Sequence, residues 1–147
     1  MRKPKQVLVF LYRKIDNGYE YCLFQRKNGN YYQAISGGVE NDETLKETVK
    51  RELIEETGIK TDRIYKLASV SSIPKVNITK ENIWKKVYVV KEYSFAIKIE
   101  NEKIKLSEEH INYEWLKYED AQKELKYDSN KTALWELNER LLKNDLK

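Results

Sequence analysis

Cysteine, histidine and proline are almost missing from this 147-residue chain, and each scarcity closes off a class of chemistry. The single cysteine, Cys22, excludes an internal disulfide and suits a reducing compartment. With one histidine, His110, a multi-histidine metal centre is impossible, and a Ser–His–acid triad would have to use that residue. Its ordinary reading is structural or surface. Pro4 and Pro74 are the only prolines, so there is no Pro-rich linker, and neither repeats nor low-complexity segments are present. No apolar run approaches the ~20 residues that span a bilayer. The opening "MRKPKQVLVFLYRK" is basic and then apolar, as a signal peptide would be. Its apolar part, Val7 to Leu11, is shorter than the usual core of about 7–15 residues, and no small-residue cleavage site follows. We read it as a first strand and expect a cytoplasmic protein with no membrane partner.

What remains is rich in charge. Hydrophobic residues make up 40% and charged residues 35%, which fits one globular domain over residues 1–147. The net charge of +4 would help to hold an anionic substrate. It is too small and too scattered to predict a nucleic-acid groove.

"QVLVFLYRK" (6–14) and "YEYCLFQRK" (19–27) are β-branched and aromatic around the turn signal "IDNG", which predicts a hairpin. "KNGNYY" (27–32) reads as a loop. Residues 43–57 carry Leu45, Val49, Leu53 and Thr57 at intervals of four, giving a helix with one apolar stripe that Gly58 would stop. Segments 63–75, 86–100 and 111–116 read as strands, with a loop over "VNITKENIW". Helices are expected at 118–125 and 129–142, the second with Leu134, Leu137 and Leu141 inward and Asp128 or Ser129 as N-cap. Loose alternation of strands and helices predicts an α/β fold, a mixed sheet with helices on both faces.

The first helix concentrates carboxylates. Glu52 lies four residues before Glu56 and three before Glu55, so the three converge on one patch. Each like-charged pair costs about 0.2–0.5 kcal/mol on an isolated helix. Glu55 and Glu56 also sit near the C-terminus, where the helix dipole disfavours anions. Lys46 and Lys50 relieve the charge upstream, but no base is interspersed from 52 to 56. A solvated helix face is the plain reading of such density. A divalent cation would reverse the sign of each unfavourable contribution, and magnesium takes oxygen ligands.

Spacing then separates the two readings. Gly37, five residues, Glu43, seven residues, and Arg51-Glu52-Leu53-Ile54-Glu55-Glu56-Thr57-Gly58-Ile59 match every fixed position of the Nudix box. The chain therefore resembles the Nudix hydrolases, which cleave nucleoside diphosphates linked to another moiety with the help of divalent metal. The resemblance implies a Nudix-type α/β/α sandwich. It also implies that Glu52, Glu55 and Glu56 hold magnesium or manganese, that Arg51 orients them by reaching Glu55, and that Glu52 is a candidate to activate water. Gly37 and Gly38 would let a loop backbone approach metal and substrate phosphates. Where many members have Gly before the first Glu of the box, this chain has Asn41-Asp42, residues tolerant of positive φ.

Outside the box the chain is similar to the bacterial dihydroneopterin triphosphate pyrophosphatases and dATP pyrophosphohydrolases. The likeness lies in "RKPKQVLVFLY", "YYQAISGGVE", "VVKEYSFA", "EEHINYEWL" and "YDSNKTALWELNERL", with Lys91 standing where Pro is expected. It implies a nucleoside or pteridine triphosphate as substrate and Glu109 as a further acidic group facing the metals. Base recognition needs stacking and an amide edge, and Tyr32, Gln33, Trp84 and Asn130 are the candidates. Other Nudix substrates (an oxidised nucleotide, ADP-ribose, a 5′-triphosphate RNA end) and an inactive nucleotide sensor are the alternatives. Oligomeric state is left open.

Overall fold

A strand buried on both faces has no polar side to alternate with, and the unbroken run from Gln6 to Tyr12 has that character. In the computed structural model, which describes residues 1–27 and 29–147, this run is the middle of β1 (Arg2–Ile15). Val7, Val9 and Leu11 enter one core cluster, and Leu8, Phe10 and Tyr12 enter another on the opposite side. The expected hairpin forms between β1 and β2 (Gly18–Arg26), with Ile15 opposite Gly18. Gly18 takes φ +125°, which a side chain would oppose.

The chain continues through β3 (Tyr32–Gln33), β4 (Ile35–Glu40), α1 (Leu45–Thr57), β5 (Ile64–Pro74), β6 (Val89–Lys98), β7 (His110–Leu116), α2 (Tyr118–Glu124) and α3 (Asp128–Leu142). Among the described residues the strands form one sheet in the order β3-β2-β1-β6-β5, with β4 beside β1 and β7 beside β2. The β1–β6 pair is parallel and the other pairs are antiparallel, so the sheet is mixed as expected. Helix α1 covers one face through Val49 and Leu53, and α2 and α3 cover the other through Ala121, Ala133, Leu134 and Leu137. The architecture is the α/β/α sandwich.

The hairpin opens into a fork. Beyond the Leu11–Cys22 pair β1 leaves β2 and takes β4, with Val9 opposite Ile35 and Val7 opposite Gly37. The other arm, β2, takes β3, with Phe24 opposite Gln33. Ala34 lies in the crotch, and its N–H donates to Asn130 Oδ1 on α3 at 2.9 Å. This bond helps to tie the fork to the far helix.

Several boundaries differ from the sequence reading. Helix α1 starts at Leu45 rather than 43, because Thr44 is its N-cap in a reciprocal capping box with Glu47. It ends as expected at Gly58, φ +74°, whose N–H donates to Ile54. Asn41 does take positive φ, +49°. Neither Asp128 nor Ser129 caps α3: Tyr127 occupies that position with no side-chain bond, and Asp128 and Ser129 line a cavity instead. The strand expected over 86–100 is shorter at both ends, and a 3-10 turn at Lys75–Asn77 opens the predicted loop. Of the loop expected over 27–32, Asn28 lies outside the described residues. Lys91 sits in a regular ladder between Lys5 and Ser72.

Candidate active site

The capped start and glycine stop of α1 fix which side of the helix faces the sheet, and Glu52 and Glu56 follow Val49 and Leu53 inward. Burying a carboxylate is costly unless it is paired, and the protein pairs both. Arg51 is the hub. Its Nε and Nη2 grip Glu43 Oε2 and Oε1 at 2.7 and 2.9 Å, a bidentate pairing. Nη2 also donates to the Gly38 carbonyl at 2.8 Å, and Nη1 to Glu52 Oε1 at 2.9 Å. The expected i+4 contact with Glu55 exists but is the longest of the set, 3.5 Å. Glu43 is thus the partner that the sequence reading passed over. Its fixed place in the box was the available signal.

These environments split the carboxyl groups. The Arg51 hydrogen bonds hold Glu43 down at about 2. Burial pushes Glu52 up to about 7 although Arg51 opposes it, and the charges of Glu55 and Glu56 push the same way as burial. Burial also raises Glu56, but the His110 ring and the Ser107 hydroxyl beside it outweigh that and leave the group lowered. Ser107 Oγ donates to Glu56 Oε2 at 2.9 Å, and His110 Nδ1 lies 2.7 Å from the same oxygen. His110 is therefore a buried partner of the helix, the structural of its two ordinary readings. Glu55 remains exposed.

Glu109 is exposed in the loop before β7, and its side chain comes near enough to Glu56 to act on its ionisation. Hydrogen bonds to the Glu109 backbone pin that loop: its N–H donates to Ser107 Oγ at 3.3 Å, and its carbonyl accepts from the Lys27 N–H at 2.9 Å. Gly37 and Gly38 lie in strand β4, not in a loop. A Cβ on Gly37 would overlap the Glu52 carboxyl, and one on Gly38 would overlap the Arg2 guanidinium. Their missing side chains make room for neighbouring protein groups.

Among the described residues no three His, Cys, Asp or Glu side chains already converge as a closed metal site. The donor set nevertheless fits a hard cation. It is all carboxylate oxygen, and Glu52 is buried in a cradle that only glycine leaves open.

On the other face of the sheet lies a cavity of about 860 Å³. Gln33 and Asn130 both line it and are buried, with Asn130 also holding Ala34. The aromatic candidates need correcting. Tyr32 and Trp84 do not line the cavity: the Tyr32 hydroxyl accepts from Asn112 Nδ2 at 3.1 Å, and Trp84 Nε1 donates to the Arg2 carbonyl at 3.1 Å. Tyr31 and Tyr127 stand there instead, edge to face with centroids 5.6 Å apart. Nothing in the local pattern singled them out, because they are 96 positions apart. Ser36 and Gly37 join the two regions, Ser36 lining the cavity and its neighbour meeting Glu52.

The NUDIX domain model matches residues 2–136. The chain belongs to the Nudix family. With that match it is a Nudix hydrolase, of a family that generally uses divalent metal and binds small nucleotide substrates. A Listeria monocytogenes protein assigned as a NUDIX hydrolase is 42% identical, with 99% of each chain covered and a TM-score of 0.90. The Escherichia coli dihydroneopterin triphosphate pyrophosphohydrolase shares the fold at 22% identity, covering 95% of this Nudix chain and 97% of its own, with a TM-score of 0.78. So does the NUDIX domain of Shewanella oneidensis NrtR, solved with ADP ribose, at 17% identity, 92% and 86% coverage and a TM-score of 0.71. None of the curated proteins compared with this Nudix hydrolase matches it. Among the described residues no helix is long and apolar enough to cross a membrane.

Proposed function

We propose that this Nudix hydrolase cleaves a nucleoside or pteridine triphosphate to a monophosphate and pyrophosphate, using magnesium. The observation that carries this reading is one of placement: adjacent residues of β4, Ser36 and Gly37, touch the large cavity and the Glu52 carboxyl respectively. A base seated in the cavity would lie against the strand whose other side meets α1 at Glu52, and its phosphates would turn past the open fork at Ala34 toward the helix.

Glu52, Glu55 and Glu56 would hold the cation. When bound, magnesium neutralises charge on the phosphate oxygens and acidifies water. Arg51 acts by position. It restrains Glu52 from one side while Glu43 restrains Arg51 from the other, so Glu52 cannot swing away. Glu109 is the group proposed to take the proton of the attacking water, since it is exposed, whereas Glu52 is clamped. Glu52 is the alternative base.

Magnesium-dependent cleavage tests the proposal, followed as pyrophosphate release from dATP, dGTP and dihydroneopterin triphosphate and as nucleoside monophosphate formation from ADP-ribose and a sugar nucleotide. A triphosphate should give the highest kcat/KM. If ADP-ribose is the better substrate, the substrate class is wrong while the hydrolase stands.

A further inference from the structure

One residue lining the cavity carries a buried carboxyl oxygen with no hydrogen-bond partner. Glu92, on β6, is only 4% exposed. Gln6 Nε2 donates to its Oε2 at 2.6 Å, and Oε1 has no hydrogen-bond partner. A buried acceptor left open is costly, and its persistence calls for an explanation.

The surroundings fix what this group can accept. Arg2 Nη2 donates to Gln6 Oε1 at 2.9 Å, so the Gln6 amide must turn its NH2 toward Glu92. Glu92 is thereby held as an acceptor. On α3, Asn130 Oδ1 is occupied by the Ala34 N–H, so its NH2, which carries two N–H donors, is the end turned the other way. That NH2 lies 3.3 Å from Ser129 Oγ. The Ser129 hydroxyl in turn sits near enough to Glu92 to favour its ionised form, although no regular hydrogen bond closes on Oε1. A carboxylate that accepts and an amide that donates therefore face one cavity across Ser129.

We propose that Glu92 and Asn130 read the 2-amino-4-oxopyrimidine edge shared by guanine and pterins. Glu92 accepts from the ring N–H and the exocyclic amino group, and Asn130 donates to the oxo group. In the same pose adenine would set a ring lone pair and a C–H against the carboxylate and its amino group against the Asn130 NH2, so it matches neither residue. Burial raises the Glu92 carboxyl, with Gln6 and Ser129 opposing. Two ligand N–H donors would keep it ionised. The assignment rests on the reading that the cavity takes the base of the substrate. It narrows the substrate class from triphosphates in general to those carrying this edge.

The test is calorimetric binding of monophosphates to the metal-free protein, which requires no turnover. Deoxyguanosine monophosphate or neopterin monophosphate should bind about tenfold or more tightly than deoxyadenosine monophosphate. Deoxyinosine monophosphate, which lacks only the 2-amino group, should fall between. Which of the first two binds better identifies the source of the edge. Glu92→Gln, checked by thermal melting, should erase the preference. Equal binding of the adenine and guanine ligands by the wild type overturns the proposal whether or not the variant folds. So does a folded Glu92→Gln protein that keeps the preference. Selective binding without cleavage of any triphosphate would sink the proposed hydrolysis and leave the Glu92 assignment standing.

Discussion

The two faces of the sheet solve the burial of polar groups in opposite ways. On the α1 face carboxylates are packed tightly but paired: Glu43 and Glu52 with Arg51, and Glu56 with Ser107 and His110. Their positions are set mostly by one helix and its flanks. On the α3 face the cavity draws Gln6, Gln33, Glu92 and Asn130 from four separate elements and leaves Glu92 Oε1 unmatched. A site that handles the same phosphates in every substrate can keep its carboxylates held by partners within the chain. A site that must tell one base from another gains selectivity by keeping groups whose partner is the ligand.

Substitutions should divide along the same line. The largest effect is expected from Glu56→Gln, which keeps the shape of the side chain and removes its charge. Turnover should fall at least ~100-fold on every substrate alike, on the scale of removing one charged group from a reacting centre. Magnesium should also raise the wild-type melting temperature more than that of the variant, because a ligand bound by the native state stabilises it. Wild-type turnover in folded Glu56→Gln would remove Glu56 from the site.

Next come two neighbours. Glu109→Gln should cost about 10²-fold or more in kcat, the usual size of a proton-transfer contribution, and Glu108→Gln should cost little. Equal small losses would leave both residues in solvent. A larger loss at Glu108 would mean that the loop is shifted by one residue.

On the cavity side, Asn130→Ala should behave differently, altering KM for the preferred substrate by about tenfold while changing kcat less. It also orphans the Ala34 N–H, which should lower stability by about 1–3 kcal/mol in urea titration. A uniform kcat loss instead would merge the two regions into one functional unit.

The smallest effect is electrostatic. Glu52 has a folded pKa of about 7, above the ordinary carboxyl value. Between about 4.5 and 7 the folded protein therefore binds more protons at this site than the unfolded chain. Its contribution to stability is present below the unfolded value and lost as pH rises through that window. Metal-free Glu52→Gln should gain stability relative to wild type between pH 5 and pH 8, on the order of 2 kcal/mol. Magnesium should abolish that relative gain by holding Glu52 ionised. A difference independent of pH would mean that Glu52 stays charged throughout.

Local periodicity and local chemistry made α1 legible in advance. The stripe of Val49 and Leu53 follows from 3.6 residues per turn, and the stop at Gly58 from the left-handed conformation glycine tolerates. Asn41 could be expected to accept a positive φ because its own side chain tolerates one. The same logic misplaced the N-cap of α3. Ser129 looks like a cap by residue type, yet tertiary contact turns it toward the cavity. Gln6 and Glu92 lie 86 positions apart, and they meet because β1 and β6 run in parallel with these two residues opposite each other. Tyr31 and Tyr127 meet across a similar separation once the fork and α3 are docked. The sequence alone therefore determined the family, the layered α/β architecture and the acidic helix, since these depend on spacing along one chain segment. The cavity wall and the open oxygen of Glu92 were decided by tertiary structure. Each depends on register between segments, and no local pattern encodes that register.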